Sequence, residues 1–465
     1  MSIFVEKASL TKKDEIQLLK HSKVKELRTN FKPYPKTHKL YVETETFYVC
    51  PRAIGISGKS YRKHFKTPRY KILFDYQKDP FTGNGGDNPD DKEEDRNQEE
   101  TIQLGIDKLV TQGHAFYWFS TGYGKTLCAI ETVRRLGRVT LWVVFNLDVQ
   151  QQTYDELKKF SNAKVEWYKN KKEPSESAQI VIVGLKKAAT LPVTFLSRFQ
   201  TVVLDEVDQA PAKSFFPLFP KICPDYLLGL SATTKKSNGL DKTLHKYFGP
   251  EKEFIYRFVT KENVTAIKVQ TNFIPNLQIV TNVLGDTQID KHEIDKSLAE
   301  NKARNKLIFN LVAEKSKDGQ CLVLSPRQEN IRWLYDKFSG AGYDVDYKTV
   351  GKQNLDKTRR ILIAGMMGSS RGMDCKAKYV FLLGMPHNMM QAGGRLRDPH
   401  GFLYIFIDKF EKFELEWNRK CIPYFRKLEC KIMFTVQNDT ELSELRPWTV
   451  PKKEKEESII DSYVD

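Results

Sequence analysis

The sequence predicts an α/β protein of two consecutive units, each a parallel sheet covered by helices, behind a small basic N-terminal segment. Three observations predict it. Short apolar runs ending in polar or turn residues alternate with stretches of helical period; the alternation comes in two series, before and after about residue 260; and the first 75 residues are far more basic than the rest of the chain. At 465 residues there is room for two to four domains. A composition of 40% hydrophobic and 29% charged residues excludes disorder throughout. No run approaches the ~18 to 20 apolar residues of a membrane helix, and MSIFVEKASLTKKDE lacks an apolar core of signal-peptide length, so neither secretion nor a membrane span is expected. Seven cysteines without a C-x-x-C pair fit a reducing compartment and no structural zinc. The net charge of +16 favours a polyanionic partner, nucleic acid first.

Along the chain, residues 1–75 hold 17 Lys+Arg against 7 Asp+Glu, with Tyr34, Tyr41, Phe47, Tyr48, Tyr61 and Phe65 among the bases. That mixture suits phosphate neutralisation with base stacking, and equally a small β-rich accessory domain with core aromatics. Residues 79–100, DPFTGNGGDNPDDKEEDRNQEE, read as a solvated acidic insertion; without it the remainder carries +23. From Thr101 the pattern becomes helix (IQLGIDKLV), strand (AFYWF) and helix (TLCAIETVRRL), followed by strands in VTLWVVF, AQIVIVGL, FQTVVLDEV and YLLGLSATT. The second series has CLVLSPR, ILIAGMM, AKYVFLLGM and FLYIFIDKF as strands, with SLAENKARNKLIFNLVAEKS and NIRWLYDKF as helices. Residues 410–445 read as amphipathic helix packing back on this unit. The expected domains are 1–75, 76–260 with the insertion, 261–445, and a polar tail 446–465.

The strongest chemical signal is Ser120-Thr121-Gly122-Tyr123-Gly124-Lys125-Thr126, between a strand and a helix. Backbone N–H groups of such a turn surround phosphates, Lys125 reaches the outer phosphate oxygens, and the Thr126 hydroxyl suits Mg²⁺. Phe119 stands where the strict phosphate-loop pattern has its first glycine. Asp205 and Glu206, with Asp208 after them, close an apolar run, and an acidic pair at a buried strand end calls for a cation: the first for the metal, the second for the attacking water of a nucleoside triphosphatase. Ser231 and Thr233 follow the next strand and are placed to report nucleotide state to the acidic pair.

The order GYGKT, DEVD, SAT resembles the superfamily 2 helicases. Ser370-Arg371-Gly372-Met373-Asp374 resembles the family's motif V, which implies contacts of Ser370 with nucleic acid and of Gly372 and Asp374 with nucleotide. Gln391-Ala392-Gly393-Gly394-Arg395-Leu396-Arg397 resembles motif VI, which implies arginine fingers at Arg395 or Arg397, although Asp398 occupies the usual last arginine position. Tyr76-Gln77 resembles the adenine-reading glutamine motif, with Gln98 as a rival. Gln151, Lys186, Ser325 and Arg327 fall in segments similar to the backbone-contact motifs; a loop cap or solvated surface is the alternative for each. The compact core, the short basic front segment and the lack of a long C-terminal extension look most like helicases of phages and large DNA viruses, a group that includes the T-even phage branch-migration and poxvirus transcript-release helicases.

The resemblance covers residues 76 to about 410 and implies two tandem RecA-like domains with ATP and Mg²⁺ in the cleft. The expected activity is ATP-dependent translocation on DNA, unwinding or branch-migrating forked or branched DNA during viral or phage replication or recombination, by a monomer inside the host cell with replication or transcription proteins as possible partners. An RNA-directed helicase or transcript-release factor is the alternative within the class. A nucleic-acid clamp with a vestigial ATPase is the alternative outside it.

Overall fold

The computed structural model describes residues 2–25, 36–45, 47–51, 98–120, 122–144, 147–168, 173–207, 218–232, 242–281, 287–349, 355–366, 375, 377–386, 389, 393, 396, 398–438 and 441–448. Two large parallel sheets organise them. The first runs, in spatial order, Ile255–Arg257, His114–Phe119, Tyr226–Ser231, Thr201–Leu204, Thr140–Val144, Ile180–Gly184 and Val165–Trp167. All neighbouring pairs are parallel. Its strands are apolar at nearly every position because both faces are covered: Val143, Val181 and Val183 enter one core, while Trp142, Val144, Ile180 and Ile182 enter the other. The Lys125–Leu136 helix is bounded by glycines in the left-handed region, Gly124 (φ 97°) before it and Gly137 (φ 59°) after it.

The second sheet orders Val345–Lys348, Ile361–Gly365, Cys321–Ser325, Tyr379–Leu382, Phe402–Ile407, Thr265–Gln270 and Lys431–Asn438 in parallel, with two short antiparallel strands, Glu441–Leu442 and Arg446–Pro447, on the last. A buried guanidinium closes one end of it. Arg304 donates through Nε and Nη2 to the two carboxylate oxygens of Asp408 at 2.8 and 2.9 Å and to Leu383 O at 2.8 Å, and the Thr271 hydroxyl donates to Asp408 Oδ1 at 2.7 Å. Both charged side chains are about 1% exposed or less.

The N-terminal residues form a three-stranded antiparallel sheet, in which Phe47–Pro51 lies between Ser2–Glu6 and Val42–Glu43, and a short ribbon of Lys23–Lys25 with Thr37–Lys39. Tyr48 lies in a small core with Val5, Leu18 and Cys50, and its hydroxyl donates to Glu15 at 2.5 Å. Val24 and Leu40 instead enter the core of the first large sheet. The front segment therefore shares a core with the unit behind it.

Four sequence expectations change. The acidic insertion does not extend to Glu100: the Gln98–Gln112 helix takes its last three residues, and Glu99 and Glu100 pair with Arg135 and Arg257; the rest of 79–100 lies outside the described residues. The helix expected in SLAENKARNKLIFNLVAEKS is two helices, Lys291–Glu300 and Lys302–Lys315, because Asn301 caps the second by accepting from Arg304 N at 3.0 Å. The helical reading of 410–445 holds only to Lys427; KIMFTVQN becomes a strand, as its β-branched and aromatic content favours. Thr265–Gln270, absent from the expected strands, is an interior strand.

Candidate active site

The glycine turn stands at the C-terminal end of the first sheet, where the His114–Phe119 strand hands over to the Lys125–Leu136 helix. Gly122 and Gly124 have φ of 96° and 97°, values that a side chain would strain. Gly124 has a second reason to be glycine: a Cβ there would come within 2.3 Å of Gln98 Nε2. That amide donates to Tyr123 O at 2.6 Å, so the first residue of the preceding helix braces the turn from outside. The Tyr123 hydroxyl shares a 2.8 Å hydrogen bond with Thr101, whose Oγ1 also accepts from Arg257 Nε at 2.8 Å. Lys125 and Thr126 occupy the first turn of the helix, where backbone N–H groups and the helix dipole favour an anion.

The acidic pair faces this turn from the Thr201–Leu204 strand. Asp205 N donates to Val143 O at 2.9 Å, extending the ladder by one residue, and Glu206 N donates back to Asp205 Oδ1 at 2.9 Å. Glu206 has φ of 48°, a left-handed conformation that costs on the order of 1 to 3 kcal/mol in a residue with a side chain. Its carboxylate lies 3.5 Å from Lys125 Nζ. Burial pushes the Asp205 carboxyl up to about 7; Lys125 pulls it down, and Glu206 adds to the rise. The site thus holds one ammonium, two carboxylates and a hydroxyl beside a helix N-terminus. The Thr126 hydroxyl and the Asp205 carboxylate are hard oxygen donors of the kind Mg²⁺ accepts.

Ser231 ends the Tyr226–Ser231 strand fully buried, and Ala232 O beyond it accepts from the Trp118 indole at 3.1 Å. Gln151 is exposed and donates to Asp155 Oδ1 at 2.8 Å. Lys186 is exposed on the short helix Leu185–Ala188. Ser325 is 1% exposed, and its Oγ accepts from Arg327 N at 3.2 Å, which is loop-cap geometry. Arg327 bonds His292 Nε2 through Nη1 at 2.6 Å and lies 3.2 Å from Glu329. Gln77, Thr121, Asp208, Thr233, Ser370, Gly372, Asp374, Gln391, Arg395 and Arg397 lie outside the described residues. Sequence reasoning did not reach Thr101 and Arg257, since a Thr in a helix and an Arg after a short apolar run carry no local signature.

Residues 91–236 match the family model described as the res subunit of type III restriction enzymes. A candidate helicase of Invertebrate iridescent virus 6 is 29% identical over 267 residues, 56% of this chain and 59% of that protein. A candidate ATP-dependent RNA helicase of Acanthamoeba polyphaga mimivirus is 25% identical over 302 residues, 59% and 55% of the two chains. One of African swine fever virus is 33% identical over 160 residues, 33% of this chain and 31% of that one. The chain spans less than two thirds of these relatives. Among solved structures, S. cerevisiae Dbp5 bound to RNA and ADP BeF3 superposes with a TM-score of 0.52 at 15% identity, covering 74% of this chain and 90% of that one, which shows the tandem RecA-like fold. Two parallel sheets in tandem, with a glycine turn and an acidic pair at the strand ends of the first, are the arrangement of a tandem RecA-like nucleoside triphosphatase. Over part of its length the chain is similar to the helicases of large DNA viruses.

Among the described residues no helix is long and apolar enough to cross a membrane, and no three His, Cys, Asp or Glu side chains group as a metal site. A Mg²⁺ held by one carboxylate, one hydroxyl and nucleotide oxygens needs no such group.

Proposed function

We propose that the chain is a nucleic-acid-stimulated ATPase that translocates on DNA and separates or branch-migrates forked or branched DNA. The observation that carries the ATPase is the convergence of Lys125, Asp205 and the strained Glu206 on the N-terminus of one helix. Magnesium-bound ATP supplies the phosphoryl bond and the metal charge. Lys125 would hold phosphate charge, Thr126 and Asp205 would supply oxygen ligands, and Glu206, 3.5 Å from Lys125, would orient the attacking water and take its proton. Arg395 with Arg397, in the same motif as Gln391, would neutralise the transition-state charge. A clamp with a vestigial ATPase would have no use for a strained acid beside the lysine.

Preference for DNA rests on the kinship with helicases of large DNA viruses. RNA is the second reading, favoured by the names of the mimivirus and African swine fever virus relatives. ATP hydrolysis measured with single-stranded DNA, forked DNA, a four-way junction and RNA tests both. Strongest stimulation by forks or junctions is expected; stimulation by RNA alone would reverse the choice, and none by any polymer would remove the translocase.

A further inference from the structure

The two sheets are joined by a short connection, Arg257 to Val264, whose backbone is tied to both domains. On the first side, Ser120, at the root of the glycine turn and 6% exposed, donates its N–H to Arg257 O at 2.9 Å, and its hydroxyl accepts from Val259 N at 2.9 Å. On the second side, Lys261 N donates to Leu428 O at 2.7 Å and Lys261 Nζ donates to Leu396 O at 2.8 Å. Leu396 is the residue between Arg395 and Arg397 in the sequence. It is buried, and a Cβ on Gly401 would come within 2.5 Å of its Cδ1, so its side chain is closely packed.

A second set of contacts runs alongside. Trp118, tied through its indole to Ala232 O, meets the Tyr256 ring edge-on at 4.8 Å; Tyr256 stacks on Phe258; and the Lys427 ammonium lies 4.8 Å from the centre of each of these two rings. The connection is therefore held by hydrogen bonds on one edge and by aromatic and cation contacts on the other. A slack tether would need neither.

We propose that Lys261 is a positioning residue: its ammonium fixes the Leu396 backbone, within the motif of residues 391–397, against a connection that Ser120 pins beside the phosphate turn. This rests on the ATPase reading above. An ammonium on a carbonyl is a charge-assisted bond from a flexible stem, so it holds the segment without a second rigid element. Its loss should misplace groups that act on the transition state while leaving the nucleotide's own contacts intact.

The test compares full-length wild type, Lys261→Met, Lys261→Arg and Lys125→Ala. Lys261→Met should lose roughly 10- to 100-fold in nucleic-acid-stimulated kcat, while KM for ATP and binding of a fluorescent ATP analogue stay within about twofold of wild type. Its melting temperature should match that of wild type, and Lys261→Arg, which keeps donors at the same reach, should recover most of the turnover. Wild-type kcat in Lys261→Met, or a loss accompanied by equally weakened analogue binding, or no recovery in Lys261→Arg, overturns the proposal. If wild type hydrolyses ATP, Lys125→Ala does not, and Lys261→Met is unaffected, Lys261 alone is dismissed. Absence of hydrolysis in wild type would instead bring down the ATPase reading and this inference with it.

Discussion

Each RecA-like domain places charged side chains at its sheet, and the two sets are handled in opposite ways. In the second domain Arg304 and Asp408 are sealed off, and both carboxylate oxygens and the Thr271 hydroxyl are used within the set. In the first, Asp205 turns one oxygen back on its own chain, Glu206 sits in a strained backbone, and Lys125 stands 3.5 Å from the Glu206 carboxylate. A sealed set contributes to folding by satisfying its own desolvation. An open one keeps its charge for something that arrives later.

The contrast breaks most sharply by substitution on the open side. Lys125→Ala and Glu206→Gln should each lower nucleic-acid-stimulated hydrolysis by about 10³-fold or more with the fold intact, Lys125→Ala by losing nucleotide affinity and Glu206→Gln by retaining ATP without turnover. Fluorescent-nucleotide binding beside single-turnover hydrolysis separates the two, and near-normal hydrolysis in either removes that residue from the site. Arg395→Ala and Arg397→Ala need not be equivalent; at least one should lose about 10³-fold in turnover with nucleotide binding largely kept.

On the sealed side the effect should be thermodynamic. Arg304→Met strands the Asp408 carboxylate in the interior and should cost about 3 to 5 kcal/mol of stability, read by urea or thermal unfolding, while kcat of the protein that remains folded changes little. A loss of kcat without loss of stability would show that the two sets are not separate.

Proton linkage gives a smaller effect. Because the Asp205 carboxyl is raised to about 7 and a metal needs the carboxylate, a proton competes with Mg²⁺. Below that pH, apparent affinity for Mg²⁺-nucleotide should fall by up to about tenfold per pH unit; above it, affinity should level off. Isothermal titration in two buffers of different ionisation enthalpy should detect a proton released on binding near pH 6, and Asp205→Asn should abolish it.

The smallest effect is expected at the front segment. Removing residues 1–75 would also strip Val24 and Leu40 from the first core, so charge alone is the cleaner variable. Lys12, Lys13, Lys23 and Lys25 are exposed, and changing all four to Gln should lower nucleic-acid affinity severalfold and reduce its salt slope by about 0.7 to 0.9 for each phosphate no longer neutralised. An unchanged slope would make this a solvated face.

The open site was largely legible because buried parallel strands are unbroken apolar runs, and the residue after such a run is conspicuous when it is a glycine turn or a pair of acids. The strand that leads into Thr271 of the sealed set was not. TAIKVQ carries Lys268 in mid-strand and breaks the apolar run, yet that lysine is buried because Glu414 meets it at 2.7 Å from another element. Gln98 was half-legible: its acidic surroundings read as solvent, whereas Glu99 and Glu100 are neutralised by arginines far along the chain. Partners that distant leave no local mark in the sequence.

The Thr265–Gln270 strand opens the second domain, yet both of its neighbours, Phe402–Ile407 and Lys431–Asn438, come at that domain's end. On a ribosome adding about 5 to 20 residues per second, the strand is made on the order of ten seconds before the first neighbour emerges. The first domain has all seven of the strands described in its sheet by Arg257 and can close meanwhile. Assembly of the molecule is thus vectorial, and the second sheet has the larger loop-closure entropy to overcome. A nascent chain stalled before residue 402 should be protease-resistant through the first domain and cleavable beyond it.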